Sequence, residues 1–214
     1  MRTKYLITIH IFIILFVNIN CSKKSKVVSE EKKDMIFSFI DKDYVVNTSN
    51  SKVKWIGKEL STKEHHGLLN IKNGTISFSK NGIINGNIIL DMNSIDVKDL
   101  EGQWKEKLNG HLKSQDFFDI VNYPTSNLKF NGNINNKINE QYLFNGDLTI
   151  KGITHPISFA SKIKNKNEML IADAKLTFDR SLYDVRFGSG KFFENLGDKL
   201  IFDEIEVDVI LITN

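Results

Sequence analysis

The chain has 214 residues, 41% of them hydrophobic, which suits one domain with a real core plus appendages. Its formal charge is only +3, and without Arg2 and Lys4 the 29 basic residues become 27 against 26 acidic ones. That balance excludes a nucleic-acid binder, which gathers positive charge on one face, and a single cysteine excludes an internal disulfide framework.

The N-terminus reads "MRTKYLITIHIFIILFVNINC". Arg2 and Lys4 precede an apolar run, Tyr5 to Val17, whose 13 residues fall short of the roughly 20 that span a bilayer. The pattern predicts a secretory signal peptide over 1–20. Cys21 follows it directly, and its position resembles that of the acylated cysteine of bacterial lipoproteins, although Asn20 stands where those proteins usually carry a small residue. The expectation is a lipoprotein held to a membrane by its acyl chains, on the periplasmic side of the cell envelope. Plain secretion with an idle thiol is the alternative. Residues 21–42 read as a flexible, charged tether, with one apolar patch, "MIFSFI" (35–40), that packs on the domain or plugs one of its openings.

From 43 to 214 the dominant period is two. Val53, Trp55 and Gly57 share one face, then Leu69 and Ile71. Asn73-Gly74 follows and predicts a hairpin, since a tight primed turn needs positive φ at both central residues. Ile76 and Phe78, then Ile88, Leu90 and Met92, then Leu128 and Phe130 continue the pattern. In "YLFNGDLTI" Tyr142, Phe144, Leu148 and Ile150 alternate around Gly146, which reads as a bend or bulge. His155, Ile157 and Phe159, then Ala172, Ala174, Leu176 and Phe178, and finally Ile205, Val207, Val209 and Leu211 complete about eight strands. One apolar and one wet face on so many strands means a sandwich or a closed antiparallel barrel, and closure removes the exposed edges.

One segment reads as helical. In 99–112, Trp104, Leu108 and Leu112 fall at i, i+4 and i+8 on one face, so a short helix lies across a barrel mouth. After it comes "GHLKSQDFFDIVNYPT" (110–125), in which Phe117 and Phe118 sit between Asp116 and Asp119. Pro124 forces Tyr123 into an extended conformation, so the next strand can begin at once. At least one of the two rings is expected to point into the barrel opening, as a hydrophobic cap, a ligand-facing gate, or both.

These residues also carry a family likeness. "GHLKSQDFFDIVNYPTSNLKF" (110–130), "GDLTIKGITHPISF" (146–159), "SKVKWIGKEL" (51–60) and "KLTFDRSLYDVRFGSGKFFENLGDKLIFDEIEVDV" (175–209) resemble segments of the YceI-like family of lipocalin-like, polyisoprenoid-binding periplasmic proteins. The resemblance implies an all-β fold: an eight-stranded antiparallel barrel around an extended cavity, carrying a long apolar isoprenoid such as a prenylated quinone precursor. On that reading Trp55, Ile71, Phe78, Leu90, Phe130, Phe144, Leu148, Phe159 and Phe178 are the expected lining, and Trp104, Leu108, Phe117 and Phe118 the gate. The alternative is a barrel filled by its own side chains, serving as a structural or stress-response interaction module. A homodimer is compatible with either.

Other chemistry is sparse. His65 and His66 are adjacent and point to opposite faces of a strand, while His111 and His155 stand alone, so no metal spacing occurs. No cofactor motif stands out, because Gly188-Ser189-Gly190 lacks a further glycine and a βαβ context. No G-x-S-x-G elbow marks a nucleophile, and the chain reads as a non-enzyme. Arg180, Arg186 and Lys191 lie in a glycine-bearing loop and are candidates to meet an anionic head group. The other reading is an ordinary solvated loop with Arg180 paired to Asp179 or Asp184.

Overall fold

The computed structural model describes residues 41–61 and 63–214. The expected leader, Cys21, the tether up to residue 40 and its apolar patch lie outside the described residues.

The alternating runs form β1 (Lys42–Val45), β2 (Lys52–Lys58), β3 (Glu64–Phe78), β4 (Ile83–Val97), β5 (Thr125–Ile138), β6 (Gln141–Ile150), β7 (Ile153–Lys166), β8 (Met169–Asp179) and β9 (Glu204–Ile212). Helix α1 (Gly102–Lys113) joins β4 to β5. Each strand from β2 to β8 pairs antiparallel with its successor, and β9 returns to β2 through Val53↔Val209 and Trp55↔Val207. Eight strands therefore close a ring, the predicted barrel. The ninth is a fragment of the same wall: β1 runs along the last residues of β3, from Lys42↔Phe78 to Val45↔Thr75, while β2 runs along the first. A bridge from Val46 to Thr213 ties β1 to the end of β9. β1 and β2 are thus one wall strand broken at 47–51, where Ser51 N–H donates to Asn47 O at 3.0 Å and Asn47 N–H to Ile212 O at 2.8 Å.

Two glycine readings are corrected. Asn73 and Gly74 are not a turn, because β3 runs straight through them, with only a register shift against β4 between Ile71 and Asn73. Gly74 is needed for close approach instead: a Cβ there would come within 2.7 Å of Ile88 Cδ1 and 2.8 Å of Val46 Cγ2. The hairpin turns further on, where Gly82 takes φ +75° and Ser79 N–H donates to Ile83 O at 2.9 Å. Gly146 neither bends nor bulges β6, since it pairs in register with Phe130 on one side and Ile157 on the other.

The three hairpins from β5 to β8 turn on Asn139-Glu140, Lys151-Gly152 and Asn167-Glu168, every residue at positive φ. This is the two-residue primed geometry that matches strand twist. The β7–β8 pairing is partial. It covers Ala160–Lys166 against Met169–Lys175 and stops there. The unpaired stretch of β7 contains Pro156, which has no N–H to donate to a ladder. Side chains close this gap instead: Ile157, Ala174 and Leu176 form a buried cluster with Phe159 and Phe178 against it.

The barrel has two unlike ends. One is packed around Tyr44, Val53, Ile76, Phe78, Ile84 and Tyr142. At the other, α1 and residues 180–203 lie across the opening, and Ile95, Val97, Leu112, Phe117, Tyr183 and Val185 form the cluster beneath them. Helix α1 keeps the predicted face only in part, because Leu112 is buried and Trp104 is 62% exposed.

Candidate functional site

Strand alternation points one face of each of eight strands at the barrel axis. The inward residues do not all meet there. A cavity of about 280 Å³ remains, just below the roughly 300–1,000 Å³ usual for ligand sites. On β6 it touches Phe144, Leu148 and Ile150, a span of about 20 Å at strand rise. The wall is a long slot of aliphatic and aromatic side chains, so what it can hold is an elongated apolar chain.

Three rings set its width in the middle. Phe144 and Phe159 stack at 5.3 Å and 21°, and Phe130 meets both edge-on at 5.3 and 5.5 Å. They fit because glycines lie opposite them. Phe130 pairs with Gly86 on β4 and Gly146 on β6, Phe144 with Gly132, and Trp55 with Gly67. A Cβ on Gly67 would come within 2.6 Å of the Trp55 ring, and one on Gly132 within 2.6 Å of Phe144. A large ring set against glycine thus lies flat on the wall and leaves the axis free.

The helix-capped end answers why the sequence places two phenylalanines between acids. Phe117 turns inward and is 6% exposed; Phe118 sits beside it at 5.6 Å, and both line the cavity. Asp116 stays on the surface. Leu108 and Leu112 of α1 line the same end, as does His111, whose ring meets Phe187 at 4.2 Å and Phe117 at 5.3 Å. Phe187 lines the cavity and is also 43% exposed, so it stands at the mouth. Burial lowers the His111 pKa, opposed by Asp116 and helped by Lys107, which keeps the ring neutral at neutral pH.

Arg180 reaches the cavity wall with no solvent exposure. Its Nε donates to Phe202 O at 3.3 Å, its NH1 to Val185 O at 3.1 Å and Phe187 O at 2.8 Å, and its NH2 to Ile201 O at 3.1 Å. The same NH2 lies 3.3 Å from Asp203 Oδ1, a charge contact without hydrogen-bond alignment. Asp203 Oδ2 accepts from Ser189 Oγ at 2.9 Å. Burial lowers the Arg180 pKa, against the pull of Asp203 and Asp179. Arg180 therefore pins the crossing segment 185–203 shut, and its partner is Asp203, neither Asp179 nor Asp184.

Of the expected lining, Trp55, Leu90, Phe130, Phe144, Leu148, Phe159 and Phe178 lie on the cavity wall. Ile71 and Phe78 do not: both are buried in the core cluster, where Phe78 meets Tyr44 edge-on at 5.7 Å. Of the expected gate, Leu108, Phe117 and Phe118 lie on the wall, whereas Trp104 stands in solvent one turn further out with Lys107 over its ring at 5.8 Å. Arg186 and Lys191 are off the wall, the first paired with Asp184 and the second with Asp179 and Ser181. Sequence reasoning missed Ile205, Val207, Val209 and Leu211, the clearest alternating run in the chain, all four of which line the cavity. It also missed His111 and Ser126, for which no sequence pattern gives a signal.

His65 lines the cavity, with its Nδ1 2.7 Å from Asp99 Oδ2 and its Nε2 4.0 Å from Glu59 Oε1. Burial pushes the Asp99 pKa up, but the bonds from the His65 ring and the His66 amide outweigh it and hold the carboxyl below its ordinary value. Among the described residues no group of three or more metal-ligating side chains gathers.

Residues 44–211 match the family model of the YceI-like domain. No curated protein matches the chain. Among solved structures, the chain is similar to BcnA of Burkholderia cenocepacia at 20% identity and a TM-score of 0.65, over 79% of this chain and 99% of that one. It is also similar to a polyisoprenoid binding domain from Saccharophagus degradans, described as implicated in plant cell wall breakdown. That likeness has 12% identity and a TM-score of 0.58, over 80% of this chain and 97% of that one.

Proposed function

This chain belongs to the YceI-like family, and from that membership we propose that it carries a long apolar isoprenoid, or a similar lipid, inside its barrel. One observation carries the reading: the axial cavity is walled almost wholly by hydrocarbon and ends at a mouth under α1. Each buried CH₂ contributes about 0.8 kcal/mol, so a chain of isoprene units is held without any charged contact. The polyisoprenoid binding named for the Saccharophagus degradans domain supports the same ligand class.

The protein acts here as a binding protein and not as an enzyme. Its place is the periplasmic side of the cell envelope, reached through the leader at 1–20 and held by acyl chains on Cys21. Extraction and mass spectrometry of the protein purified from its own envelope tests the ligand. A prenyl or other long-chain lipid in near-stoichiometric amount is expected, whereas an empty protein that takes up no added prenyl lipid overturns the reading.

A further inference from the structure

We propose that the aromatic rim of the mouth is a docking surface on which the barrel rests its helix-capped end against a lipid bilayer. The inference rests on the carrier reading for the purpose of that contact, and it adds a surface and a partner that the cavity alone does not require.

Among the described residues, every exposed phenylalanine lies in the crossing segment 185–203: Phe187, Phe192, Phe193 and Phe202, each 42–48% exposed. Main-chain bonds gather them. Ile201 N–H donates to Gly188 O at 2.8 Å, which sets Phe202 close to Phe187. The Phe192 and Phe193 amides both donate to Ser189 O, at 3.2 and 3.1 Å, so their turn folds back on the same stretch. Leu60, also exposed, joins through its N–H to Leu200 O at 2.8 Å. Phe187 lines the cavity as well, so one ring belongs both to the wall inside and to the patch outside. The packed end exposes aliphatic groups instead, Val45, Ile83 and Ile138.

A cluster of exposed rings beside an opening marks a contact surface, and three observations select a bilayer. Whatever covers the patch also covers the mouth, because Phe187 belongs to both. A second copy or another folded protein there would seal the lipid in, whereas a bilayer supplies and receives it. The segment is also electrically neutral, with Arg186, Lys191 and Lys199 against Glu194, Asp198 and Asp203, and two of its cations are paired with Asp184 and Asp179. It offers no field to a charged partner and binds by seating rings at the boundary between head groups and acyl chains. Finally, the chain's attachment permits the pose. β1 enters at the packed end, opposite the mouth, where Lys42 pairs with Phe78. The 20 residues 21–40 reach at most about 70 Å, against about 50 Å for the 15 residues of β3. A chain held at Cys21 can therefore lay its far end on the same membrane.

The test uses the chain from residue 21 onward, which holds the whole barrel, with Cys21→Ser so that no acyl chain contributes. It is floated with phosphatidylcholine vesicles. The protein should rise with them, and high salt should change the bound fraction by less than about twofold, since no charge pairing is being screened. Phe192→Ser with Phe193→Ser removes two rings that do not line the cavity and should weaken binding at least about tenfold, roughly fourfold or fivefold for each ring half buried by the bilayer. Ile83→Ser with Ile138→Ser, at the packed end, should leave binding unchanged. Urea unfolding and prenyl lipid retention in solution report an intact barrel in each variant, and Phe202→Ser replaces the first pair if that pair does not fold. Failure of the parent protein to float overturns the docking surface, as does equal flotation of the phenylalanine variants. A dimer in sedimentation that the phenylalanine variant dissolves also overturns it, because the patch then belongs to a second copy. Flotation by a protein that retains no prenyl lipid upholds the surface and overturns the carrier reading instead.

Discussion

The ring of Phe130 lies across the backbone of Gly86, so close that a Cβ there would come within 2.0 Å of its Cζ. The ring cannot retreat, because Phe144 and Phe159 brace it on the other side. Gly86→Ala should therefore push Phe130 toward the axis. The expected cost is about 1–3 kcal/mol, as for an overfilled core, read by urea unfolding, together with reduced lipid retention. An unchanged unfolding midpoint and unchanged retention would mean that Gly86 is not what seats the ring.

Filling the cavity from a small wall residue separates a real void from a packed core. Ala172 lines the cavity and pairs with Ile163 and Leu211. Ala172→Trp is expected to cost less than about 1.5 kcal/mol, because the new ring enters empty space, and to cut prenyl lipid retention at least about tenfold. A loss of several kcal/mol on unfolding would show that no such space exists.

Arg180 offers a stability test away from ligand. Arg180→Met removes the charge partner of Asp203, whose Oδ1 is buried with no hydrogen bond of its own, and frees four carbonyls, and a loss of about 3 kcal/mol is expected. Adding Asp203→Asn should recover part of it, since no uncompensated charge then remains. A double variant no better than the single one would assign the loss to the carbonyl bonds alone.

Acid should loosen the helix before the barrel. Asp96 is bound by Lys98 at 2.5 Å, Lys105 at 2.9 Å and the Asn109 amide at 3.2 Å, and these groups hold its carboxyl far below the usual range despite some burial. Lys105 and Asn109 belong to α1, so this carboxylate ties the helix to β4. A depressed folded pKa gives stability that is present above the unfolded value of about 3.9 and is lost as pH falls below it. Melting temperature followed from about pH 5 to pH 2 should therefore drop, and Asp96→Asn should be less stable at neutral pH but flatter over that range. An identical slope in both proteins would remove Asp96 from the acid response.

Much of this architecture can be read from alternation alone, because one wet and one oily face on so many strands leaves few closed solutions. The misreadings share a cause. Asn73-Gly74 and Asn81-Gly82 are the same dipeptide, yet only the second takes the positive φ of a turn. The first is glycine because Val46 and Ile88 press on it from other strands, which no local pattern reveals. Gly146 was misjudged likewise, as it answers to Phe130 across the sheet. Ile71 and Phe78 carry the period of lining residues, but both are buried in the core cluster that also holds Tyr44 of β1. Arg180 looked like a surface charge in a glycine-bearing loop. Its acceptors are the carbonyls of residues 185, 187, 201 and 202, brought together only when the crossing segment folds back over the opening.

The half-zipped seam between β7 and β8 gives the wall one compliant place. Elsewhere, parting two staves means breaking a ladder of amide bonds, but from Ile153 to Phe159 β7 is laced only to β6. Parting it from β8 there separates Ile157 from Leu176 and leaves every main-chain bond in place. A guest too stiff or too broad for the mouth could thus swell the ring sideways at the expense of greasy contacts, which re-form on the guest itself.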